Sequence, residues 1–257
     1  MRLLVSVVDA AEAVEAALAG ARIIDVKDPV TGALGAATPS SVREVRDAIP
    51  PGLPVSAAIG DGPFEPRWAT RAARAAAECG AEFVKLGLRG TSADHAFQTI
   101  RAVRAGLPRQ VRLIVAAFAD FRRAGSPHPL DVPRLTQAAG AQGCLIDTAI
   151  KDGLGLFHWL DDVALQAFVA ACRARGLLSA LAGSLAPTDL PRLVPIGPHI
   201  IGVRGAACEG DRVHGRVTRQ RVGALALALG DGATTPLPFR TCVPSRSAPQ
   251  RVPGGFR

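Results

Sequence analysis

The chain has 257 residues, of which 48% are hydrophobic and 20% charged; this fits one large globular domain and excludes wholesale disorder. No apolar run is long enough to span a bilayer, and five scattered cysteines without a C-x-x-C pair argue against a disulfide framework or a cysteine zinc site. The formal net charge is +8, and the last residues, from Asp231 onward, hold four Arg against one acid, so much of the basic excess belongs to the end of the chain.

In chain order, short apolar runs alternate with Ala-rich amphipathic segments. The first predicted strand is Leu3–Val7. Asp9, Glu12 and Glu15 follow it at once, where a secretory signal would stay apolar; the expectation is a cytoplasmic protein. Helix Ala10–Ala19 places Ala13, Val14 and Ala17 on one face. Strand Arg22–Val26 precedes helix Ser40–Ala48, which buries Val42 and Val45 and turns Arg43, Glu44 and Arg46 outward. Strand Val55–Ile59 precedes helix Arg67–Cys79, with Arg67, Arg71 and Arg74 on its solvated face. Strand Phe83–Leu88 leads to helix Ala93–Ala105, strand Arg112–Ala119 to helix Leu130–Ala139, and strand Cys144–Thr148 to helix Asp162–Arg175. Strand Leu178–Ala182 leads to helix Thr188–Val194, and strand Ile200–Val203 to helix Arg219–Leu229. Gly80, Gly106, Gly140 and Gly176 stand where helix C-caps are expected.

The strand runs are apolar without strict alternation, as in parallel strands covered on both faces. Eight strand–helix units over residues 1–230 predict a (β/α)₈ TIM barrel. A doubly wound sheet is the alternative, but no G-x-G-x-x-G follows the first strand. Residues 231–257 are rich in Pro, Ser and Arg without periodicity and read as a flexible basic tail.

The basic residues themselves are unusual: 27 are Arg and only three are Lys. Lys27, Lys85 and Lys151 each close or extend an apolar run, and the solvated helix faces have none. Arg cannot replace Lys where an amine must lose its proton or form an imine, so these three are the first candidates for chemistry. In a barrel the active site lies at the C-terminal ends of the strands. Asp25 and Lys27 end the second strand on one face, Lys85 lies in the fourth, and Asp147 and Lys151 close the sixth. Asp61 and Asp120 follow the third and fifth strands. A buried amine beside another cation sheds its proton near neutral pH and attacks a carbonyl to form a Schiff base.

The loops after the seventh and eighth strands commonly bind phosphate in barrels. Here they supply Gly183, Ser184, Arg204 and Gly205, where glycine admits an anion to the backbone N–H groups. The five histidines are scattered without ligand spacing, so neither a metal nor another cofactor is expected; His128 reads as a loop residue and Asp28 as a turn residue. With no Tyr, few other aromatics and no basic run outside the tail, a nucleic-acid partner is not expected. The expected partner is a small phosphosugar, with no membrane association; a homo-oligomer stays open.

The motifs DVKDP, TGALGA, PVSAAIGD, FVKLGLRGT, DTAIKDG, LAGSL and GVRGAACEGDR occur in this order. Together they resemble the (5-formylfuran-3-yl)methyl phosphate synthase family, also called 4-(hydroxymethyl)-2-furancarboxaldehyde-phosphate synthase, from Leu3 to about Val217. Asp28 stands where that family more often has Asn. The resemblance implies a barrel lyase that joins two molecules of glyceraldehyde 3-phosphate into a furan aldehyde phosphate, with loss of phosphate and water, toward methanofuran-type cofactors. It places the Schiff-base lysine at Lys27 and the proton-transferring lysine at Lys85, with Asp25, Asp147 and Lys151 in the same site; Asp25 is expected to orient Lys27. The residues alone leave two alternatives open: another class I aldolase or transaldolase-like enzyme acting on phosphosugars, or a non-catalytic phospholigand or nucleic-acid binder.

Overall fold

The computed structural model describes residues 1–230; the basic tail expected over residues 231–257 lies outside the described residues. Eight strands pair in parallel, in sequence order, and close on themselves. They are β1 (Arg2–Val7), β2 (Ile23–Val26), β3 (Val55–Ala58), β4 (Phe83–Gly87), β5 (Arg112–Phe118), β6 (Gly143–Asp147), β7 (Leu178–Leu181) and β8 (Ile200–Val203). The ring closes where Leu3 and Val5 of β1 pair with Ile201 and Val203 of β8. One main helix follows each strand: α1 (Ala10–Leu18), α2 (Pro39–Ala48), α3 (Pro66–Glu78), α4 (Ala93–Gly106), α5 (Val132–Ala138), α6 (Asp162–Ala174), α7 (Leu190–Ile196) and α8 (Arg219–Ala228). This is the (β/α)₈ barrel that the alternation of apolar runs predicts.

Local chemistry sets most helix starts. Asp9, Thr38, Glu65, Ser92, Asp161 and Thr218 each accept a hydrogen bond from a backbone N–H in the first turn of the helix that follows, satisfying a donor with no partner inside the helix. Pro39 and Pro66 occupy first-turn positions where no N–H is needed. At the other end, Gly80, Gly140 and Gly176 turn with positive φ just past their helices, as expected. Gly106 does not: it stays within α4, and a Cβ there would lie 2.3 Å from Thr70 Cγ2 of α3. Close contact between two helices, not a reversal of the chain, is what needs glycine at that position.

Other departures have equally local causes. Helix α7 begins two residues later than the spacing suggests, because Pro187–Asp189 forms a 3₁₀ turn ahead of it. Arg46, expected outside, is half-buried and folds back onto the carbonyls of Ile49, Pro50 and Leu53. It thereby ties down the turn that leads into β3. The short helices Phe121–Ala124 and Leu156–Trp159 and the ribbon Cys208–Glu209/Arg216–Val217 are too brief to leave a periodic signal.

Apart from Arg2, every residue of the eight strands is buried. One set of side chains fills the layer between strands and helices, with Val84, Leu113, Ile146 and Phe168 among them. The other set points inward, with Leu4, Ile23, Phe83, Ile114, Leu145 and Ile200 plugging the barrel. Phe168 of α6 is fully buried in the outer layer, so Phe168→Ala is expected to destabilise the fold by about 3–5 kcal/mol. Urea unfolding followed by far-UV circular dichroism measures this; a loss below about 1 kcal/mol would show that the layer around α6 is not packed as described.

Candidate active site

Above the apolar plug the barrel opens into a cavity of about 360 Å³, within the range of small-ligand sites. Its floor includes Leu4, Ile23, Phe83 and Ile114, and its charged lining comprises Lys27, Lys85, Lys151, Arg204, Arg212 and Asp147. Five cations thus face one carboxylate, a balance suited to anionic ligands. All three lysines of the chain meet here, as their positions at strand ends predict. Gly183, Ser184 and Gly205 also line the cavity.

Strand register brings the lysines together. Val26 pairs with Ala57, and Ala58 pairs with Lys85. Lys27, one residue past Val26, and Lys85 therefore flank the small side chain of Ala58. Lys85 Nζ donates to Asp25 Oδ2 at 2.6 Å, and Ser6 Oγ donates to the same oxygen at 2.8 Å. Asp25 is fully buried and does not line the cavity. The i, i+2 spacing puts Asp25 on the same face as Lys27 but about 6–7 Å farther back along the strand. Among the described residues it hydrogen-bonds Lys85 and Ser6, not Lys27, on which it acts through its charge.

Lys151 Nζ donates to Asp147 Oδ1 at 2.6 Å and to Thr148 Oγ1 at 2.9 Å, while Thr148 N donates to Asp147 Oδ1 at 2.7 Å. Burial acts to raise the Asp147 carboxyl, but the charges of Lys151 and Lys27, with these hydrogen bonds, outweigh it and hold the group below its usual range. Lys27 differs from its neighbours. Its Nζ donates to the carbonyl of Ala33 at 3.0 Å, and among the described residues no carboxylate pairs with it. Burial, reinforced by Lys85 and Lys151 and opposed by Asp147 and Asp25, lowers its amine from 10.5 to about 7. A neutral amine that donates one N–H to Ala33 keeps its lone pair free for a carbonyl carbon.

Two further carboxylates shape these loops. Asp61, past β3, accepts from Ala33 N at 3.0 Å and Leu34 N at 2.8 Å, and so holds the segment whose carbonyl meets Lys27. The fit is close: a Cβ on Gly32 would lie 2.0 Å from Asp61 Oδ2. Asp120, past β5, accepts from Ala149 N at 2.7 Å and Ile150 N at 3.0 Å, just before Lys151. The sequence marks both as carboxylates at strand ends, but their use as acceptors for a neighbouring loop is a tertiary fact. Asp28 serves its own turn by accepting from Val30 N, and His128 accepts from Leu130 N in its loop, as expected.

The expected phosphate loops reach the cavity on its β7–β8 side. Gly183 and Ser184 both have positive φ, of 109° and 50°, a conformation that turns successive N–H groups toward one side. Among the described residues, the backbone N–H groups of Gly183, Ser184, Gly205 and Ala206 donate to no backbone acceptor. Arg204 is bound more firmly than a surface anion receptor would be. Its NH1 donates to Glu12 Oε2 at 2.9 Å and to the Ser6 carbonyl at 3.0 Å, and its Nε donates to the Arg212 carbonyl at 2.6 Å. Its NH2 is buried with no partner among the described residues. Glu12 also accepts from Val8 N and Val217 N, so the buried pair ties the β8 loop to α1. Glu12 lies outside every motif and Arg212 ends the motif GVRGAACEGDR, but neither stands out in the sequence as a site residue. No group of three or more His, Cys, Asp or Glu suited to a metal ion occurs among the described residues, nor is any described helix long and apolar enough to cross a membrane.

A family model described as 4-HFC-P synthase matches residues 3–226. The (5-formylfuran-3-yl)methyl phosphate synthase of Methanothermobacter thermautotrophicus is 43% identical over 229 residues, spanning 88% of this chain and 97% of the relative. The protein of the same name from Methanococcus maripaludis is 44% identical over 227 residues, spanning 86% of this chain and 96% of the relative. Among solved structures, phosphoribosyl anthranilate isomerase from Thermus thermophilus superposes with a TM-score of 0.61 at 19% identity, over 90% of this chain and 99% of the other; that likeness is one of fold.

The buried Lys85–Asp25 pair gives a direct test of the site's electrostatics. Asp25→Ala strands an ammonium in the barrel and is expected to cost about 3–5 kcal/mol, whereas Asp25→Ala combined with Lys85→Met removes both charges and recovers most of that loss. Denaturant unfolding of wild type, both single variants and the double variant measures the coupling. Equal losses in the Asp25→Ala and double variants would show that the two groups do not depend on each other.

Proposed function

The chain belongs to the (5-formylfuran-3-yl)methyl phosphate synthase family, and from that membership we propose that it condenses two molecules of glyceraldehyde 3-phosphate through an imine on Lys27. The observation that carries this reading is the state of Lys27: a buried cavity lysine without a carboxylate partner among the described residues, lowered to about 7. Such an amine is a nucleophile at neutral pH.

The chemistry balances. Two triose phosphates equal one (5-formylfuran-3-yl)methyl phosphate, one phosphate and two waters, so no electrons enter or leave. The product's skeleton also constrains the route. The formyl-bearing half has lost its phosphate, and the carbon that carried it is joined to the central carbon of the other half. An imine on Lys27 acidifies the adjacent carbon of the first triose. Proton removal there expels the phosphate at the next carbon and leaves an enol that is nucleophilic at its terminus. The second triose isomerises to its ketose by a proton shift from its central carbon to its first, with no change in composition, and the enol terminus attacks the central carbonyl so formed. Ring closure through a hydroxyl and two dehydrations then yield the aromatic furan.

In this scheme Lys85 hands a proton to Asp25, to which it is hydrogen-bonded, and takes the proton from the carbon beside the imine; that carbon carries no hydrogen in the furan, so the proton leaves with phosphate or water. Asp147 and Lys151 exchange protons during dehydration. Gly183, Ser184, Arg204 and Gly205 receive phosphate through the unspent N–H groups. The reading carries with it a role in methanofuran-type cofactor biosynthesis and a cytoplasmic setting. The runner-up, another class I aldolase, shares the imine and differs in its product.

Borohydride trapping with glyceraldehyde 3-phosphate, read by intact mass and peptide mapping, is expected to give a reduced adduct on Lys27 that Lys27→Arg abolishes. The attacking amine must be unprotonated, so the trapping rate rises about tenfold per pH unit below 7 and levels above it. An adduct on another lysine, or a rate independent of pH between 5 and 8, would overturn the assignment. An ultraviolet-absorbing furan product, with phosphate released one for one, separates the synthase from a reversible aldolase.

A further inference from the structure

Of the five cations lining the cavity, three have a carboxylate partner: Lys85 with Asp25, Lys151 with Asp147 and Arg204 with Glu12. Two have none among the described residues, Lys27 and Arg212. The amine of Lys27 has a use in imine formation; a guanidinium cannot share it, since arginine does not deprotonate in proteins. We propose that Arg212 binds a substrate phosphate and, with the same guanidinium, holds the loop that covers Lys27, so that phosphate recognition and the geometry of the reacting amine depend on one side chain. This deepens the reading given above and rests on it for the identity of the reacting amine.

The geometry supports both halves. Arg212 NH1 donates to the Pro29 carbonyl at 3.0 Å and NH2 to the Gly32 carbonyl at 3.1 Å. Pro29 and Gly32 lie in the segment after β2 that ends at Ala33, whose carbonyl accepts from Lys27 and whose N–H is held by Asp61. A guanidinium has five N–H donors in a planar fork, and these two bonds leave three without a partner among the described residues. Neutral carbonyl acceptors pair no charge with it; the largest acidic influences on it are those of Asp147 and Asp61.

Arg212 also adjoins the expected phosphate loop. Its carbonyl accepts from Arg204 Nε, its Cβ lies 3.8 Å from where a Cβ on Gly205 would stand, and it lines the same cavity as Gly205 and Ala206. Arg204, whose NH2 is buried with no partner among the described residues, lines the same cavity. A phosphate monoester dianion matches such a set: it takes paired N–H donors from a guanidinium and further donors from backbone amides. Lysine would supply the charge without the fork that serves carbonyl and phosphate together.

The test compares wild type with Arg212→Gln, and with Arg212→Lys in case the first fails to fold. Inorganic phosphate is titrated calorimetrically, and borohydride trapping is run with glyceraldehyde 3-phosphate and with unphosphorylated glyceraldehyde. Arg212→Gln is expected to raise the phosphate Kd about tenfold and the half-saturating glyceraldehyde 3-phosphate by a similar factor. Trapping of glyceraldehyde, which senses only the loop that covers Lys27, should fall by a smaller factor than trapping of glyceraldehyde 3-phosphate, and the ratio of the two losses, the selectivity for the phosphorylated aldehyde, is the readout. Arg212→Lys should fall between the two. An unchanged phosphate Kd, or an equal loss for both aldehydes, overturns the assignment and leaves Arg212 as a loop support alone. Should wild type trap neither aldehyde, the imine reading fails, and the phosphate titration decides Arg212 by itself: a tenfold loss sustains it and an unchanged Kd overturns it.

Discussion

The site is organised by the cost of burying charge. An ammonium or guanidinium removed from water must be paired, hydrogen-bonded or neutralised. The barrel mouth gathers five cations, and the structure meets the requirement one residue at a time. Asp25 with Ser6 settles Lys85, Asp147 with Thr148 settles Lys151, and Glu12 settles Arg204. Lys27 receives only a carbonyl. With its neighbours already paired and still positive, the cheapest outcome for that amine is loss of its proton. The pairings that keep the mouth folded thus also leave one amine without a charge partner.

Position is maintained by carboxylates used as backbone acceptors. Asp61 and Asp120 stand past β3 and β5, and each takes two successive N–H groups from the loop of a neighbouring strand, β2 and β6 respectively. Those are the loops that carry or cover Lys27 and Lys151. Glu12 does the same for Val8 and Val217 while pairing with Arg204. Charge-assisted hydrogen bonds to backbone are strong and geometrically narrow, so irregular segments are held nearly as firmly as strands. The apolar floor beneath them keeps dielectric low around the charged rim.

Much of this was legible in the sequence. The barrel followed from eight apolar runs alternating with amphipathic segments, because strands buried on both faces must be apolar throughout. The three lysines stood out because an arginine-rich chain retained them only at strand ends. Helix starts rest on Asp9, Thr38, Ser92 and Asp161, whose side chains need only the next turn. What was not legible involves partners far apart in the chain. Asp25 bonds Lys85, sixty residues away, because barrel register, not strand spacing, selects its neighbour. Gly106 looked like a helix cap and is instead a point of helix contact, a distinction set by Thr70.

The sequence by itself determined the fold class, the family motifs and the placing of all three lysines beside predicted strands, because periodicity, capping and residue type act locally. Only the tertiary structure decided which carboxylate pairs with which cation, that Arg204 is tied to Glu12, and that Arg212 reaches the carbonyls of Pro29 and Gly32. The physical reason is range. Hydrogen-bonded turns close over a few residues, whereas charge pairing and burial are settled by whatever the closed sheet brings within about 3 Å.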